Sequence, residues 1–293
     1  MRFRVGREIT CFSLCFGTLC FGQSTGTYAA DDTFSVTDRL QSAVEAVEQG
    51  IDDLWPPEER PEDLTLRLGA GLGFVPDYTG SDNYRLHVLP LVEVRYKDVW
   101  RLDGTRFSFA AYRSGGFEAG PLIRYRFGRN ESANAALEGL GDIGNTVEVG
   151  GFARYHTKSL LISAEMSQAL SSALGRTVRL TVGHGVYRDE KWLIGVAARA
   201  KAISRKAAQT EFGLTRMQSD RSGFGLPAFT ASAGFSEVSL TGIAAYRVTK
   251  RARVVSILSL GRLVGSAAES PLVANGVGSR TQAVVGSALT FEF

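Results

Sequence analysis

From residue 64 to the C-terminus, apolar and polar side chains alternate in stretches of about ten residues, the period of two that marks strands with two different faces. Leu64, Leu66, Leu68, Ala70, Leu72 and Phe74 alternate with Thr65, Arg67, Gly69, Gly71 and Gly73. A loop containing Pro76, Asp77, Gly80 and Asn83 interrupts them, and Tyr84, Leu86, Val88, Pro90, Val92, Val94 and Tyr96 then alternate with Arg85, His87, Glu93 and Arg95. The pattern returns in Phe117, Ala119, Ile123, Tyr125 and Phe127 against Glu118, Gly120, Arg124 and Arg126, and in Val147, Val149, Ala153 and Tyr155 against Glu148, Arg154 and His156. Further strands are expected at Trp100 to Tyr112, Leu160 to Ala169, Thr177 to Tyr187, Trp192 to Ala202, Val238 to Val248 and Arg253 to Leu263. The last strand, Thr281 to Phe293, puts Val285, Leu289, Phe291 and Phe293 opposite Gln282, Gly286, Thr290 and Glu292.

A soluble β-sandwich also alternates, but its core would have to bury charges along the polar faces at a large desolvation cost. The inward set is Arg67, Arg85, Glu93, Arg95, Glu118, Arg124, Arg126, Glu148, Arg154, Glu165, Arg179, Arg199 and Arg247. A closed barrel in lipid turns such groups toward a lumen and its aliphatic faces toward the bilayer, which strands of about ten residues tilted near 45° can cross. The fold class is therefore all-β, a transmembrane antiparallel β-barrel. Eleven strands are visible in the pattern, and single-chain bacterial barrels normally have an even number. A hidden strand within Ser204 to Ser236 would make twelve; if Trp100 to Tyr112 does not span the membrane as one strand, the count is ten.

The stretch before residue 64 is different. Val36, Leu40, Val44, Val47, Ile51 and Leu54 recur every three or four residues among polar and acidic ones, an amphipathic helix stopped by Pro56, Pro57 and Pro61. Residues 30–63 thus read as a short periplasmic or plugging helix with a proline-rich linker, its stripe facing either the barrel or a partner protein. Before it, Arg2, Arg4 and Arg7 precede an apolar run from Ile9 to Phe21, and Thr27-Tyr-Ala29 offers small residues at the cleavage positions, so residues 1–29 read as a signal peptide. The domains expected are 1–29, 30–63 and a barrel over 64–293.

Composition narrows the chemistry. All three cysteines, Cys11, Cys15 and Cys20, lie in the expected signal, which leaves no disulfide or thiolate chemistry after cleavage. Removing Arg2, Arg4, Arg7 and Glu8 lowers the formal charge from +3 to +1, so nothing electrostatic favours nucleic acid. His87, His156 and His184 fall on different strands with no metal-ligand spacing, and no cofactor is expected. Gly69-Ala-Gly-Leu-Gly73 lies inside a strand with no helix after it, the wrong context for phosphate. Catalysis at a membrane interface would need a convergent serine and histidine, and no short motif marks one, so no enzyme is expected. The inward charges read as a salt-bridged filling of the lumen, or as the lining of a narrow channel for small anionic solutes.

Several segments in order resemble the MipA/OmpV family of outer-membrane proteins, named for a member that interacts with a lytic murein transglycosylase. They are Gly71-Leu-Gly-Phe74, Pro76-Asp-Tyr-Thr-Gly-Ser81, Gly120-Pro-Leu-Ile-Arg-Tyr-Arg-Phe-Gly-Arg-Asn-Glu131, Leu137-Glu-Gly-Leu-Gly-Asp142, Val149-Gly-Gly-Phe-Ala-Arg-Tyr155, Phe212-Gly-Leu214, Arg221-Ser-Gly-Phe-Gly-Leu-Pro-Ala228, Ala245-Tyr-Arg-Val248 and Leu263-Val-Gly-Ser-Ala-Ala-Glu-Ser-Pro271. The resemblance spans Leu68 to Phe293 and does not include the N-terminal stripe. It implies an outer-membrane location in a Gram-negative bacterium and a noncatalytic scaffold linked to a murein transglycosylase or synthase. Other members are tied to adhesion, osmotic response or antibiotic susceptibility, and a surface adhesion or stress-response protein acting through the loops Asn130 to Asn145, Ser204 to Ser236 and Gly265 to Arg280 is a further reading. Outer-membrane lipid is the expected surrounding of the barrel. The closing Leu289, Phe291 and Phe293 also resemble the signal read by the barrel-assembly machinery.

Overall fold

The computed structural model describes residues 64–171, 174–274 and 276–293. The expected signal peptide and the helical stripe from Val36 to Leu54 lie outside them. The described chain forms a closed antiparallel barrel of twelve strands. They are β1 (Leu64–Pro76), β2 (Tyr84–Tyr96), β3 (Trp100–Asp103), β4 (Arg106–Phe109, resuming at Tyr112–Ser114), β5 (Phe117–Arg126), β6 (Thr146–His156), β7 (Leu160–Ala169), β8 (Arg176–Arg188), β9 (Trp192–Ile203), β10 (Gly234–Arg247), β11 (Ala252–Leu263) and β12 (Thr281–Glu292). Each strand pairs with its neighbours in sequence, and β1 closes the barrel on β12 in the register Arg67 to Glu292 through Phe74 to Val285.

That closing seam is tight because β1 carries glycine where β12 comes near. A Cβ on Gly71 would lie 2.4 Å from the Ser287 carbonyl oxygen, so no other residue fits without moving the strands. The Phe293 amide then donates to the Leu66 carbonyl at 2.8 Å, tying the last residue to the first strand.

Twelve strands arise differently from the sequence expectation. The segment Trp100 to Tyr112 is not one strand: Gly104, at φ 55°, turns it back so that Asp103 pairs with Arg106. A two-residue turn that opens on a residue at positive φ favours glycine, which meets this demand without a Cβ clash. The expected strand within Ser204 to Ser236 is also absent among the described residues. Two helices replace it, α1 (Arg205–Phe212) and α2 (Arg216–Arg221), started by the Ser204 side chain and by a Thr215–Gln218 capping box. A further short helix, α3 (Gly265–Glu269), follows β11.

The two ends of the barrel differ. Short turns at 97–99, 115–116, 157–159, 189–191 and 248–251 close one end, where β1 begins and β12 finishes. Gly115 and Gly116, both at positive φ, make one of them. Loops 77–83, 127–145, 204–233 and 264–280 all emerge at the other end, so the three long loops share one side. They pack into a lid with its own apolar interior. Tyr78, Leu137, Leu140, Leu214, Leu226 and Leu272 bury one cluster, and Phe212, Ala231, Ala267 and Val273 build a second with Leu263 of β11.

Outward faces are aliphatic, with aromatic residues toward the ends. Trp192 and Tyr246 meet at 4.8 Å between ring centres, and Tyr112 meets Phe117 at 6.0 Å, all near the short turns; Phe74 and Tyr84 stack at 5.5 Å near the loops. Such belts suit a membrane interface. One stretch of wall is thin. The β3–β4 hairpin reaches only part of the way up β2, pairing with Glu93 to Tyr96, and Gly104 donates to the Val92 carbonyl at 2.9 Å. Above that point no strand among the described residues pairs with the β3 side of β2 from Tyr84 to Leu91.

Candidate functional site

Among the described residues the lumen gathers most of the buried charged side chains, and its two walls differ. On β10, β11 and β12 part of the inward face is apolar: Ile243, Ala245, Val255, Ile257, Val284 and Ala288 cluster with Val75 of β1 and Leu91 of β2, while Thr241, Gln282 and Thr290 of the same strands are buried as well. This corrects the expectation of a polar inward face all round. The alternation persists there, with apolar residues on part of the inner face as well as on the outer one.

The opposite wall, from β4 to β8, is an ionic lattice. Neighbouring antiparallel strands place inward residues side by side, so Arg124 faces Glu148 across β5 and β6, and Glu118 faces Arg154. Arg154 meets Glu118 at 2.7 Å, with Arg113 on the same carboxylate at 3.4 Å. Glu165 joins Arg106 at 2.7 Å and Arg124 at 2.8 Å. Arg124 and Glu165 meet across the intervening β6, where Gly150 lies so close to β7 that a Cβ would come 2.0 Å from the Met166 carbonyl oxygen. Glu148 sits among Arg124 at 3.8 Å, Arg126 at 3.6 Å and Arg179 at 3.7 Å, and accepts from the Ser167 hydroxyl at 2.7 Å. The guanidinium groups of Arg106 and Arg154 lie 5.3 and 5.6 Å from the ring centre of the inward Phe152. Arg124 and Glu148 are each 1% exposed, a depth at which charges persist only when paired and hydrogen-bonded.

Toward the short-turn mouth, Arg67 bonds Glu93 and meets Glu292 at 2.7 Å, while Arg95 shares Glu93. Toward the lid, Arg126 meets Glu211 of α1 at 2.9 Å, and Lys201 reaches the same carboxylate at 3.4 Å. Glu211 thereby fastens the lid helix to the lumen wall. Arg85 lies at the lid end, 3.3 Å from Asp77, and donates to the Ala133 carbonyl at 2.8 Å. Arg199 is half-buried on β9. Arg247 is exposed at the end of β10, beside the turn that receives its amide at Lys191, and so sits at the rim rather than within the lumen.

Sequence reading missed Arg101, Asp103 and Arg106, which the unrecognised β3–β4 hairpin turns inward, with Arg101 2.9 Å from Asp103. It also missed Glu211, whose inward role depends on the long loop folding back over the mouth. An Arg-Leu-Asp followed by Gly-Thr-Arg was the available hint: alternating charges on either side of a glycine turn. In the lid, burial raises the pKa of Tyr78 well above the ordinary tyrosine value, reinforced by the nearby Asp82 and Asp77 against the opposing charge of Arg129. Burial lowers that of Arg129, against the pull of Tyr78 and Glu211. His87 is half-buried on β2 and His184 is exposed on the outer face of β8; no group of three or more His, Cys, Asp or Glu able to hold a metal occurs among the described residues.

No curated protein matches the chain. Among solved structures it is similar to an outer-membrane channel from Pseudomonas putida F1, at 11% identity and a TM-score of 0.40, covering 80% of this chain and 97% of that one. It is also similar to the KdgM porin, at 9% identity and a TM-score of 0.37 over 78% of this chain and 99% of the other. For the NanC porin the values are 10% and 0.34, over 77% and 98%. The family model described as MltA-interacting protein MipA matches residues 68–293, and the chain belongs to that family of outer-membrane β-barrel proteins.

Proposed function

We propose that this barrel is a noncatalytic outer-membrane scaffold that holds a murein enzyme, a lytic transglycosylase or a synthase, at its periplasmic end. The carrying observation is the lumen: its deepest charges, Arg124 and Glu148, Arg106 and Glu165, are engaged with one another under a packed lid. Such an interior favours a rigid body over an open conduit. The family description names an interaction with MltA as a property of its namesake. Outer-membrane barrels carry short turns toward the periplasm and longer loops outside, which puts the start of β1 and residue Phe293 on the side where murein lies.

On this reading the mature chain begins after Ala29, and Leu289, Phe291 and Phe293 are presented to the barrel-assembly machinery during insertion. The purified, heat-modifiable full-length barrel should retain a purified lytic transglycosylase on an affinity matrix, and loss of retention on deleting 31–60 would assign the contact to the N-terminal stripe. Failure to retain any transglycosylase or synthase refutes the scaffold. Unitary conductance steps from the same protein in planar bilayers would instead favour a narrow anion channel, the reading suggested by the surplus of inward arginine.

A further inference from the structure

The rim of short turns is unevenly charged. Turns 97–99 and 157–159 carry one base each, Lys97 and Lys158, and the turn between β4 and β5 is Gly115-Gly116. Between β8 and β11 the density rises. Arg188 and Lys191 bracket the β8–β9 turn, and Arg247, Lys250 and Arg251 bracket or form the β10–β11 turn. The two turns are joined, because the Arg247 amide donates to the Lys191 carbonyl at 2.8 Å. They lie two strand spacings apart, about 10 Å, close to the Debye length at physiological salt, so their fields add.

All five bases are exposed, and among the described residues none of their side chains meets a carboxylate, whereas the arginines of the lumen lattice do. The acids within these two turns are Asp189 and Glu190, which leaves a surplus of three bases. Asp189 is engaged inside its own turn, accepting from the Tyr187 hydroxyl at 2.7 Å and from the Lys191 and Trp192 amides at 2.8 and 2.6 Å. Glu292, whose amide donates to the Arg251 carbonyl, turns its carboxylate to Arg67 at 2.7 Å. The arc therefore presents cations that the fold itself does not neutralise.

What adjoins the arc selects the anion. Tyr187, Trp192 and Val248 are 50%, 41% and 53% exposed, and Tyr246 meets the Trp192 ring at 4.8 Å. Tryptophan and tyrosine at the edge of a lipid-facing band mark the headgroup level. Each aromatic has a base beside it in sequence: Arg188 follows Tyr187, Lys191 precedes Trp192 and Arg247 follows Tyr246. Long basic side chains can lay their stems along such a face and hold their charges at the phosphates. Lipid headgroups meet these bases before any periplasmic protein does.

We propose that this arc binds anionic glycerophospholipid of the adjoining leaflet, its phosphodiester held by Arg188, Lys191, Arg247, Lys250 and Arg251 and its glycerol and upper acyl chains against Trp192 and Tyr246. A zwitterionic lipid offers the same phosphate with its own compensating cation and competes poorly. The barrel thus gathers anionic lipid on one arc rather than evenly around its girth. This holds whether or not the barrel scaffolds a murein enzyme.

The chain has three tryptophans, so Trp55→Phe with Trp100→Phe leaves Trp192 as reporter, and Trp55→Phe with Trp192→Phe leaves Trp100 at the same end of the barrel on β3. Each full-length barrel is reconstituted in liposomes containing brominated phosphatidylglycerol or brominated phosphatidylcholine, and quenching is titrated. Phosphatidylglycerol is expected to associate about tenfold more strongly at Trp192, and about equally with phosphatidylcholine at Trp100. Replacing all five bases of the arc by glutamine should abolish the preference at Trp192. Replacing the exposed lid bases Arg205, Lys206 and Arg216 by glutamine should leave it intact. All variants are compared as heat-modifiable barrels. Equal quenching of Trp192 by the two lipids, or a preference that survives neutralisation of the arc, overturns the proposal. So does displacement by inorganic phosphate beyond that by chloride at matched ionic strength, which would mark a site for free phosphate. Capture of a purified transglycosylase that fails on the neutralised barrel, with no lipid preference at Trp192, would assign the arc to a protein instead.

Discussion

Replacing Glu165 by glutamine keeps the shape of the side chain and removes the charge that holds two buried arginines. Glu165 lies 2.7 Å from Arg106 and 2.8 Å from Arg124, whose side chains are 3% and 2% exposed. After Glu165→Gln the remaining acids are more distant, Asp103 at 3.5 Å from Arg106 and Glu148 at 3.8 Å from Arg124, with the Ser108 hydroxyl still accepting from Arg106 at 3.0 Å. Breaking a buried pair by removing one member costs about 3–5 kcal/mol, and the remaining acids place this case near the lower end, about 3 kcal/mol. At about 1.4 kcal/mol per decade that is roughly a hundredfold loss in the folding equilibrium. Arg113→Gln is the internal reference. Its pair with Glu118 is 3.4 Å long with Arg113 41% exposed, and Glu118 retains Arg154, so about 0–1 kcal/mol is expected. Guanidinium unfolding of both variants from liposomes, followed through Trp100 and Trp192 at the lipid boundary, gives the two values. A Glu165→Gln cost within 1 kcal/mol of the Arg113→Gln cost would refute the view that the lattice, rather than the backbone ladder alone, holds the lumen wall.

Deleting Phe293 removes the amide that bonds Leu66 and the terminal aromatic, and the yield of heat-modifiable barrel in outer membranes should fall; normal yield would deny that residue an assembly role. Gly120→Ala puts a Cβ 1.8 Å from the Phe109 carbonyl oxygen, where β4 is interrupted, and should block insertion, as read by the same gel shift; a fully inserted variant would show that the interruption can move. Tyr78→Phe removes the hydroxyl that donates to the Leu272 carbonyl at 3.0 Å, costing about 1 kcal/mol of lid stability, visible as faster cleavage of loop 264–280 by external protease. Because the folded Tyr78 has a raised pKa, the unfolded chain ionises first. The lid should thus be at full strength below pH ~10 and weaken above it, and Tyr78→Phe should lessen that alkaline loss.

Strand positions were largely legible because lipid outside imposes an alternation that survives whatever the inside carries. The total of twelve was legible too, but for the wrong reasons. Trp100 to Tyr112 reads as continuous alternation, since a tight turn at Gly104 preserves the period on both sides of it. Length and parity point to a strand within Ser204 to Ser236, whereas Ser204 and the Thr215–Gln218 box carry helix-start chemistry. Period two assigns a side to Arg124 or Glu165 without naming its partner. Glu165 meets Arg124 across β6, and Glu211 meets Arg126 because a loop folds back, relations that no local pattern encodes.

The short β3–β4 hairpin makes the barrel unequal around its girth. On β2 the even-numbered residues direct their backbone groups toward β3, as the bond from Gly104 to the Val92 carbonyl shows, yet Leu86 and Val88 have no backbone partner on that side among the described residues. Pro90, on the same edge, has no amide to leave unmatched. Hydrocarbon cannot solvate an open amide or carbonyl, at several kcal/mol for each. An edge open to hydrocarbon would draw water down β2 from the loop end and thin the bilayer beside it. Amide hydrogen exchange at Leu86 and Val88 should outpace that at Arg85 and His87, whose amides face β1, making this seam the barrel's fastest-breathing side.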